Sequence, residues 1–139
     1  MVAIRCIKVL PLSTDLSIRN APFKIRIVGE ANKTCKRFAI NLCSGKDILL
    51  HFNVRFDEKV IVRNNLLNEK WQHEERSQPF MPISIGKSYV IDLHVTATHV
   101  NCFVYGEEYC KFAFRTSADG LNNVEISGDT KIYLLSITK

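Results

Sequence analysis

The feature that most constrains how this chain can fold is a short stretch of strict alternation that ends at Phe56. Apolar and polar side chains follow one another there without exception: Leu50, His51, Phe52, Asn53, Val54, Arg55 and Phe56. Successive side chains of a β-strand point to opposite faces. We therefore predict a strand with one face in a hydrophobic core, whose other face carries the three hydrogen-bonding side chains.

The rest of the chain repeats this pattern in short segments that are separated by turn residues. No long segment has apolar residues at helical spacing. The predicted strands are residues 5–10, 23–28, 37–43, 48–56, 59–64, 72–77, 88–95, 98–105, 109–114, 124–127 and 132–137. Residues 65–70 are predicted to form a polar loop. Many short strands with frequent turns are typical of an all-β sandwich or barrel.

Length and hydropathy favour one globular domain over residues 1–139. The hydrophobic fraction of 46% is enough for a core. No apolar run approaches the length of about 18 residues that a membrane helix needs. Residues 1–15 interrupt their apolar side chains with Arg5 and Lys8, which is not typical of a signal peptide. We therefore expect synthesis in the cytosol and no insertion into a membrane.

The cysteines favour a reducing compartment. There are five of them, Cys6, Cys35, Cys43, Cys102 and Cys110. An odd number without a secretion signal favours free thiols. Their spacing matches no zinc-binding pattern, and the four histidines are not clustered with them. We therefore expect neither a metal site nor a cofactor.

The charge pattern argues against a nucleic-acid partner. The net charge is +5, and the 19 lysines and arginines are scattered along the chain. Binding to nucleic acid requires a basic patch, often with aromatic residues between the charges. The sequence has no such run, so we expect no nucleic-acid binding.

At three places the sequence resembles the carbohydrate-recognition signature of the galectin family. The family pattern is H-x-N-P-R, then V-x-N, then W-G-x-E-x-R. This chain has H-F-N-V-R at 51–55, V-R-N at 62–64 and W-Q-H-E-E-R at 71–76. The order and spacing agree, and the resemblance extends over nearly the whole chain. Two positions differ, because Val54 replaces the usual proline and Gln72 replaces the usual glycine.

The resemblance implies a jelly-roll-like antiparallel β-sandwich of two sheets. It also implies binding of β-galactoside glycans, of the lactose or N-acetyllactosamine type, on one sheet face. The implied carbohydrate-binding residues are His51, Asn53, Arg55, Asn64, Trp71, Glu74 and Arg76. The first three would hold the axial hydroxyl of galactose, the group that distinguishes galactose from glucose.

The other implied residues have different roles. Asn64 would reach the exocyclic hydroxyl, and Trp71 would lie under the galactose ring. Glu74 and Arg76 would contact the second sugar and brace Arg55 through charge-assisted hydrogen bonds. The chemistry is suitable, because a sugar has hydroxyls that both donate and accept and one face of C–H bonds. Such a ligand needs fixed polar groups beside a flat aromatic ring.

Each residue taken alone also has an ordinary structural explanation. The triplet that begins at His51 could be a solvated strand face. A single tryptophan such as Trp71 lies more often in a core than under a ligand. Glu74 and Arg76 could be a surface ion pair worth less than about 1 kcal/mol. The assembly of all seven at family spacing favours the binding site.

The departures from the family pattern differ in their expected effects. Val54 is expected to point into the core and not to touch sugar. Gln72 is nearer the ligand and is expected to tilt Trp71 or to narrow the site. Arg63 lies on the strand face opposite Asn64, which is unusual for a charged residue. We expect it at a sheet edge or turned outward by the twist of the strand.

Catalysis is not expected, so the sequence favours a binding protein. Glu74 and Glu75 are adjacent and face opposite sides of the predicted strand, so they cannot form the facing carboxylate pair of a glycosidase. No serine or cysteine lies in a known nucleophile motif. The main hypothesis is a lectin whose partners are glycans of glycoproteins or glycolipids. The alternative, which Gln72 favours, is a galectin-fold module that binds a protein and has weak or no sugar affinity.

The resemblance also bears on assembly and location. Galectins with one recognition domain are often homodimers, so a homodimer is compatible with this sequence. We expect a cytoplasmic protein, and the resemblance is compatible with export that needs no signal peptide.

Overall fold

The computed structural model describes residues 2–7, 11–16, 21–78 and 80–139. Within them the chain forms β1 (Val2–Ile7), β2 (Leu12–Asp15), β3 (Phe23–Ala31), β4 (Arg37–Ser44), β5 (Asp47–Arg55), β6 (Val60–Leu67), β7 (Lys70–Trp71), β8 (Ser88–Val95), β9 (His99–Val104), β10 (Glu107–Ala113), β11 (Asn123–Gly128) and β12 (Thr130–Thr138). Two six-stranded sheets result, ordered β1-β12-β3-β8-β9-β10 and β2-β11-β4-β5-β6-β7. The prediction of an all-β sandwich of two antiparallel sheets is confirmed. No helix in these ranges has the length and hydropathy needed to cross a membrane.

Alternating hydrophobicity explains why the two sheets pack face to face. In β3, Phe23, Ile25 and Ile27 are buried, while Lys24 and Arg26 between them are exposed. The buried side chains of both sheets form one continuous hydrophobic cluster. Each buried side chain of this size stabilises the fold by about 1.5–3 kcal/mol.

The predicted alternation of β5 is present in the structure, and an irregularity directly precedes its polar residues. Phe52 and Val54 are fully buried between the sheets, so Val54 points into the core as predicted. The pairing of β5 with β6 shifts register just before His51. Leu49 and Leu50 are both buried at this shift. A β-bulge re-aims the side chains that follow it, and here it turns the polar face of β5 outward.

The segment predicted as a polar loop, residues 65–70, forms a tight hairpin instead. Strand β6 continues to Leu67, and β7 returns alongside it to Trp71. The turn residues Asn68 and Glu69 have φ angles of 51° and 66°. Asparagine tolerates this left-handed region well, so the turn can be as short as two residues.

Two other strand predictions are also wrong. Residues 72–77, predicted as a strand, make one isolated β-bridge to β6. Strand β2 was not predicted, because Pro11 and the polar residues after it are typical of a strand end. The predicted first strand, residues 5–10, overlaps β1, but residues 8–10 lie outside the described ranges.

Arg63 is neither at a sheet edge nor turned outward, contrary to the prediction. Its side chain is 1% exposed. Its Nη1 donates to the carbonyl oxygens of Ile61 and Ser77 at 2.9 and 2.8 Å, and its Nη2 donates to Ser77 Oγ at 2.6 Å. The guanidinium lies 5.6 Å from the ring centroid of Tyr109. The charge is tolerated in the interior because polar partners and an aromatic face replace water.

The cysteines whose side chains the structure describes are free and buried: Cys35, Cys43, Cys102 and Cys110. The side chain of Cys6 lies outside the described part of the chain. Burial raises the pKa of Cys35 and of Cys43 to about 11. Cys102 and Cys110 oppose each other on β9 and β10, and their hydrogen bond lowers the pKa of Cys110. In the described ranges no group of three or more His, Cys, Asp or Glu residues could hold a metal ion.

Candidate functional site

Six of the seven residues predicted to bind carbohydrate line one shallow cavity on the outer face of the second sheet. The cavity has a volume of about 450 Å³. Its lining consists of Arg37, His51, Asn53, Arg55, Asn64, Trp71, Gln72 and Glu74. The seventh predicted residue, Arg76, is not part of the lining but pairs with Glu74, with Nη2 2.8 Å from Oε1.

Strand register brings these residues together from distant parts of the chain. His51 lies opposite Asn64 of β6 on one side and opposite Asn41 of β4 on the other. Asn53 is paired with Val62 of β6, so the same outer face continues along both strands. The period of two in three neighbouring strands therefore produces one polar surface.

Arg55 is held rigidly by three partners. Its Nε donates to Asn53 Oδ1 at 2.6 Å, its Nη1 to Glu58 Oε2 at 3.0 Å, and its Nη2 to Glu74 Oε2 at 2.9 Å. A guanidinium has five N–H groups. Two of them have no partner in the described part of the chain, so they are available to a ligand in the cavity.

Glu58 links the arginines of the site, although it is not among the residues that the sequence predicts to bind carbohydrate. Its Oε2 lies 2.6 Å from Arg37 Nη2 and 3.0 Å from Arg55 Nη1. Its Oε1 accepts from Arg76 Nη1 at 2.6 Å. Hydrogen bonds from Arg76 and then Arg55 lower the pKa of Glu58. The positive charges of the site are therefore fixed by a network, which Glu74 completes between Arg55 and Arg76.

The tautomer of His51 follows from its neighbours. Asn41 Nδ2 donates to Glu125 Oε1 at 3.3 Å, so Asn41 turns its Oδ1 to His51 Nδ1, 2.6 Å away. That oxygen can only accept, so the proton of His51 is on Nδ1 and Nε2 is an acceptor. Burial, and secondly the charge of Arg55, lower the pKa of His51 to about 4. The imidazole is therefore neutral at neutral pH.

Asn53 and Asn64 are each oriented by an arginine. Arg55 Nε donates to Asn53 Oδ1 at 2.6 Å, and Asn53 Nδ2 donates to a backbone carbonyl of β4 at 3.1 Å. Arg115 Nη1 donates to Asn64 Oδ1 at 3.1 Å, and Asn64 Nδ2 donates to the carbonyl oxygen of Gln72 at 3.2 Å. Arginine only donates, so the amide oxygen of each asparagine must face its arginine.

Trp71 lies at the cavity and not in the core. Its side chain is 52% exposed, and its ring centroid is 4.6 Å from that of His51. Gln72 beside it also lines the cavity, and its Nε2 donates to the carbonyl oxygen of Lys70 at 2.9 Å. The exposed indole can therefore offer a flat apolar face next to the hydrogen-bonding groups of β5.

Sequence reasoning missed four residues that support the site: Arg37, Asn41, Glu58 and Arg115. For the first two a signal exists, because both lie on the alternating polar face of β4 next to the predicted triplet. Glu58 and Arg115 follow strand ends and carry no such signal. Arg115 is separated by 51 positions from its partner Asn64, and only the fold brings them together.

Known proteins share the sequence pattern and the fold of this chain. The model of a family described as "Galactoside-binding lectin" matches residues 13–137. The 32 kDa beta-galactoside-binding lectin of Haemonchus contortus is 38% identical over 112 residues, which cover 80% of this chain and 39% of that protein. The protein of the same name from Caenorhabditis elegans is 39% identical over 114 residues, which cover 80% of this chain and 40% of that protein.

A solved structure, the galectin LEC-6 of Caenorhabditis elegans, aligns with a TM-score of 0.91 at 27% identity. The alignment covers 99% of this chain and 96% of that chain. The chain spans about two fifths of the length of the two 32 kDa relatives. Because the family model matches nearly the whole chain, this protein belongs to the galactoside-binding lectin, or galectin, family.

Proposed function

We propose that this chain is a non-catalytic lectin that binds β-galactosides of the lactose or N-acetyllactosamine type in the cavity of β5 and β6. Its partners are the glycans of glycoproteins or glycolipids. The observation that carries the proposal is the composition of this cavity. It combines an exposed indole with oriented hydrogen-bonding groups that retain free donors and acceptors.

The free groups are complementary to an axial hydroxyl. Nε2 of His51 is an acceptor, and two N–H groups of Arg55 have no hydrogen-bond partner among the described residues. One hydroxyl can donate to the first and accept from the second. An equatorial hydroxyl points elsewhere, so glucose leaves these groups partly unpaired. Each unmet group costs about 1–3 kcal/mol.

The carboxylates support binding without hydrolysis. Glu74 pairs with Arg55 and Arg76, and Glu75 pairs with Arg115 on the other side. The hydrogen bond from Arg76, together with Arg55, lowers the pKa of Glu74. The general acid of a glycosidase needs a raised pKa. Glu74 is therefore unsuited to that role, and Glu75 lies on the other side of the chain, where it cannot act as the second carboxylate.

The direct test is calorimetry with lactose and with cellobiose as the matched control. The two disaccharides differ in the orientation of one hydroxyl of the terminal ring, which is axial in lactose. We expect saturable binding of lactose and at least tenfold weaker binding of cellobiose, from about 1.4 kcal/mol or more of unmet hydrogen bonding. If neither binds at millimolar concentration, the protein-interaction module that Gln72 favours replaces this proposal.

A further inference from the structure

The amide oxygen of Asn64 is fully used inside the protein. Oδ1 accepts from the backbone N–H of Asn65 at 2.8 Å and from Arg115 Nη1 at 3.1 Å. A carbonyl oxygen has two lone pairs, so no acceptor capacity remains. Asn64 Nδ2 donates to the carbonyl oxygen of Gln72 at 3.2 Å. The other N–H of this amide has no partner among the described residues, and Asn64 lines the cavity.

Arg115 is itself held by several partners. Its Nη1 also donates to Asn65 Oδ1 at 2.8 Å, and its Nη2 lies 2.7 Å from Glu75 Oε2. The guanidinium is 5.2 Å from the ring centroid of Phe112. The side chain is only 26% exposed. A long side chain fixed by this many contacts can orient the amide beside it with little further loss of entropy.

We infer that Arg115 is a positioning residue of the galactoside site. Together with the backbone N–H of Asn65 it saturates the oxygen of Asn64. Asn64 therefore meets the ligand only as a hydrogen-bond donor, and the exocyclic hydroxyl of galactose must accept at this position. Arg115 does not line the galactoside cavity itself and acts through Asn64. This inference rests on the proposed function and deepens it, because it assigns the direction of one ligand hydrogen bond.

The test is the variant Arg115→Met, which keeps an apolar stem and removes every donor. Calorimetry is performed with lactose and with 6′-deoxylactose, which lacks the exocyclic hydroxyl of galactose. We expect lactose to bind about fivefold more weakly than to the unmodified protein, because the amide of Asn64 loses one of its three hydrogen bonds and is less well ordered. The affinity for 6′-deoxylactose should not change. As a control, Lys111→Met removes an exposed cation of β10 and should leave both affinities unchanged.

The outcomes separate this inference from general damage and from the proposed function. An equal loss for both sugars, or no loss for either, would overturn the role of Arg115. If the unmodified protein does not bind lactose at any concentration tested, both the proposed function and this inference are overturned. Circular dichroism checks the fold. If Arg115→Met is unfolded, Arg115→Lys retains a single ammonium in place of the planar guanidinium and should show a loss of about twofold that is again confined to lactose.

Discussion

The imidazole of His51 and the indole of Trp71 lie with their centroids 4.6 Å apart and their planes inclined by 50°. A sugar that covers the exposed indole therefore comes to lie beside the imidazole of His51. We predict that lactose changes the fluorescence of Trp71, because the ring loses water when the ligand covers it. Trp71 is the only tryptophan in the chain, so the signal has one source. Glucose should produce little change.

A substitution of the same residue tests its role directly. Trp71→Leu keeps an apolar side chain but removes the flat ring, so lactose affinity should fall at least tenfold. The thermal midpoint should change little, because the indole is 52% exposed and contributes little to the core. If millimolar lactose leaves the fluorescence of Trp71 in the unmodified protein unchanged, that result would argue against the lectin proposal and in favour of a protein-interaction module.

Much of this arrangement could be predicted from the sequence, because it depends on local alternation. The period of two in β5 follows from Phe52, Val54 and the polar side chains between them, and that of β8 follows from its own alternation. The polar face of β5 is predicted at the same time. The spacing of the motifs from His51 to Trp71 then indicates the resemblance to the galectin family. These features need no knowledge of which strands pair.

The remaining features depend on contacts between distant positions. Arg63 is buried because Ser77 and the ring of Tyr109 surround it. Asn65 appears polar and exposed in the sequence, but it is 3% exposed and accepts a hydrogen bond from Arg115. No local pattern reveals such partners, so the loop prediction for residues 65–70 was wrong.

A second prediction concerns Arg55. Arg55→Ala should abolish lactose binding, because it removes two free donors and releases the amide of Asn53. Glu58 and Glu74, the carboxylates that pair with Arg55, still form ion pairs with Arg76 in this variant. The loss in the free energy of unfolding should therefore be only about 1 kcal/mol. Arg55→Lys should also bind poorly, since one ammonium cannot reproduce the planar fork. Calorimetry and thermal unfolding measure both effects, and unchanged lactose affinity in either variant would contradict the site assignment.

A third prediction concerns the pH dependence of binding. The pKa of His51 is lowered to about 4 by burial and by Arg55. Lactose affinity should therefore stay constant from about pH 8 to about pH 5 and fall as the pH drops through about 4, because protonated His51 cannot accept at Nε2. A decline centred near the ordinary histidine pKa of about 6.5 would show that His51 is not buried as described.

The same shift affects stability. The pKa of His51 is lower in the folded state than the unfolded value of about 6.5, so the unfolded chain takes up the proton first on acidification. The free energy of unfolding should fall between about pH 6.5 and pH 4, by up to about 1.4 kcal/mol per pH unit. Urea titrations at several pH values give the free energy of unfolding. Plotted against pH, it should fall more steeply in this window for the unmodified protein than for His51→Gln. Equal slopes against pH for the two proteins would contradict the assigned pKa.

The last prediction concerns Gln72, which stands where galectins usually have glycine. Gln72→Gly removes a side chain from the cavity lining and one hydrogen bond to Lys70. The backbone hydrogen bonds of residue 72 with Asn64 and Asn65 remain. If the side chain only crowds the ligand, lactose affinity should be maintained or increase. The added glycine should lower the free energy of unfolding by at most about 1 kcal/mol.

His73→Gly is the matched control for Gln72→Gly, because His73 is an exposed neighbour that does not line this cavity. It introduces the same backbone freedom and should leave lactose affinity unchanged. If Gln72→Gly destroys binding while His73→Gly does not, the glutamine side chain contacts the ligand. The preferred glycan would then carry a group, beyond the simple galactoside, that the Gln72 amide recognises. A glycan array of the unmodified protein would identify that group, since arrays present extended galactosides side by side.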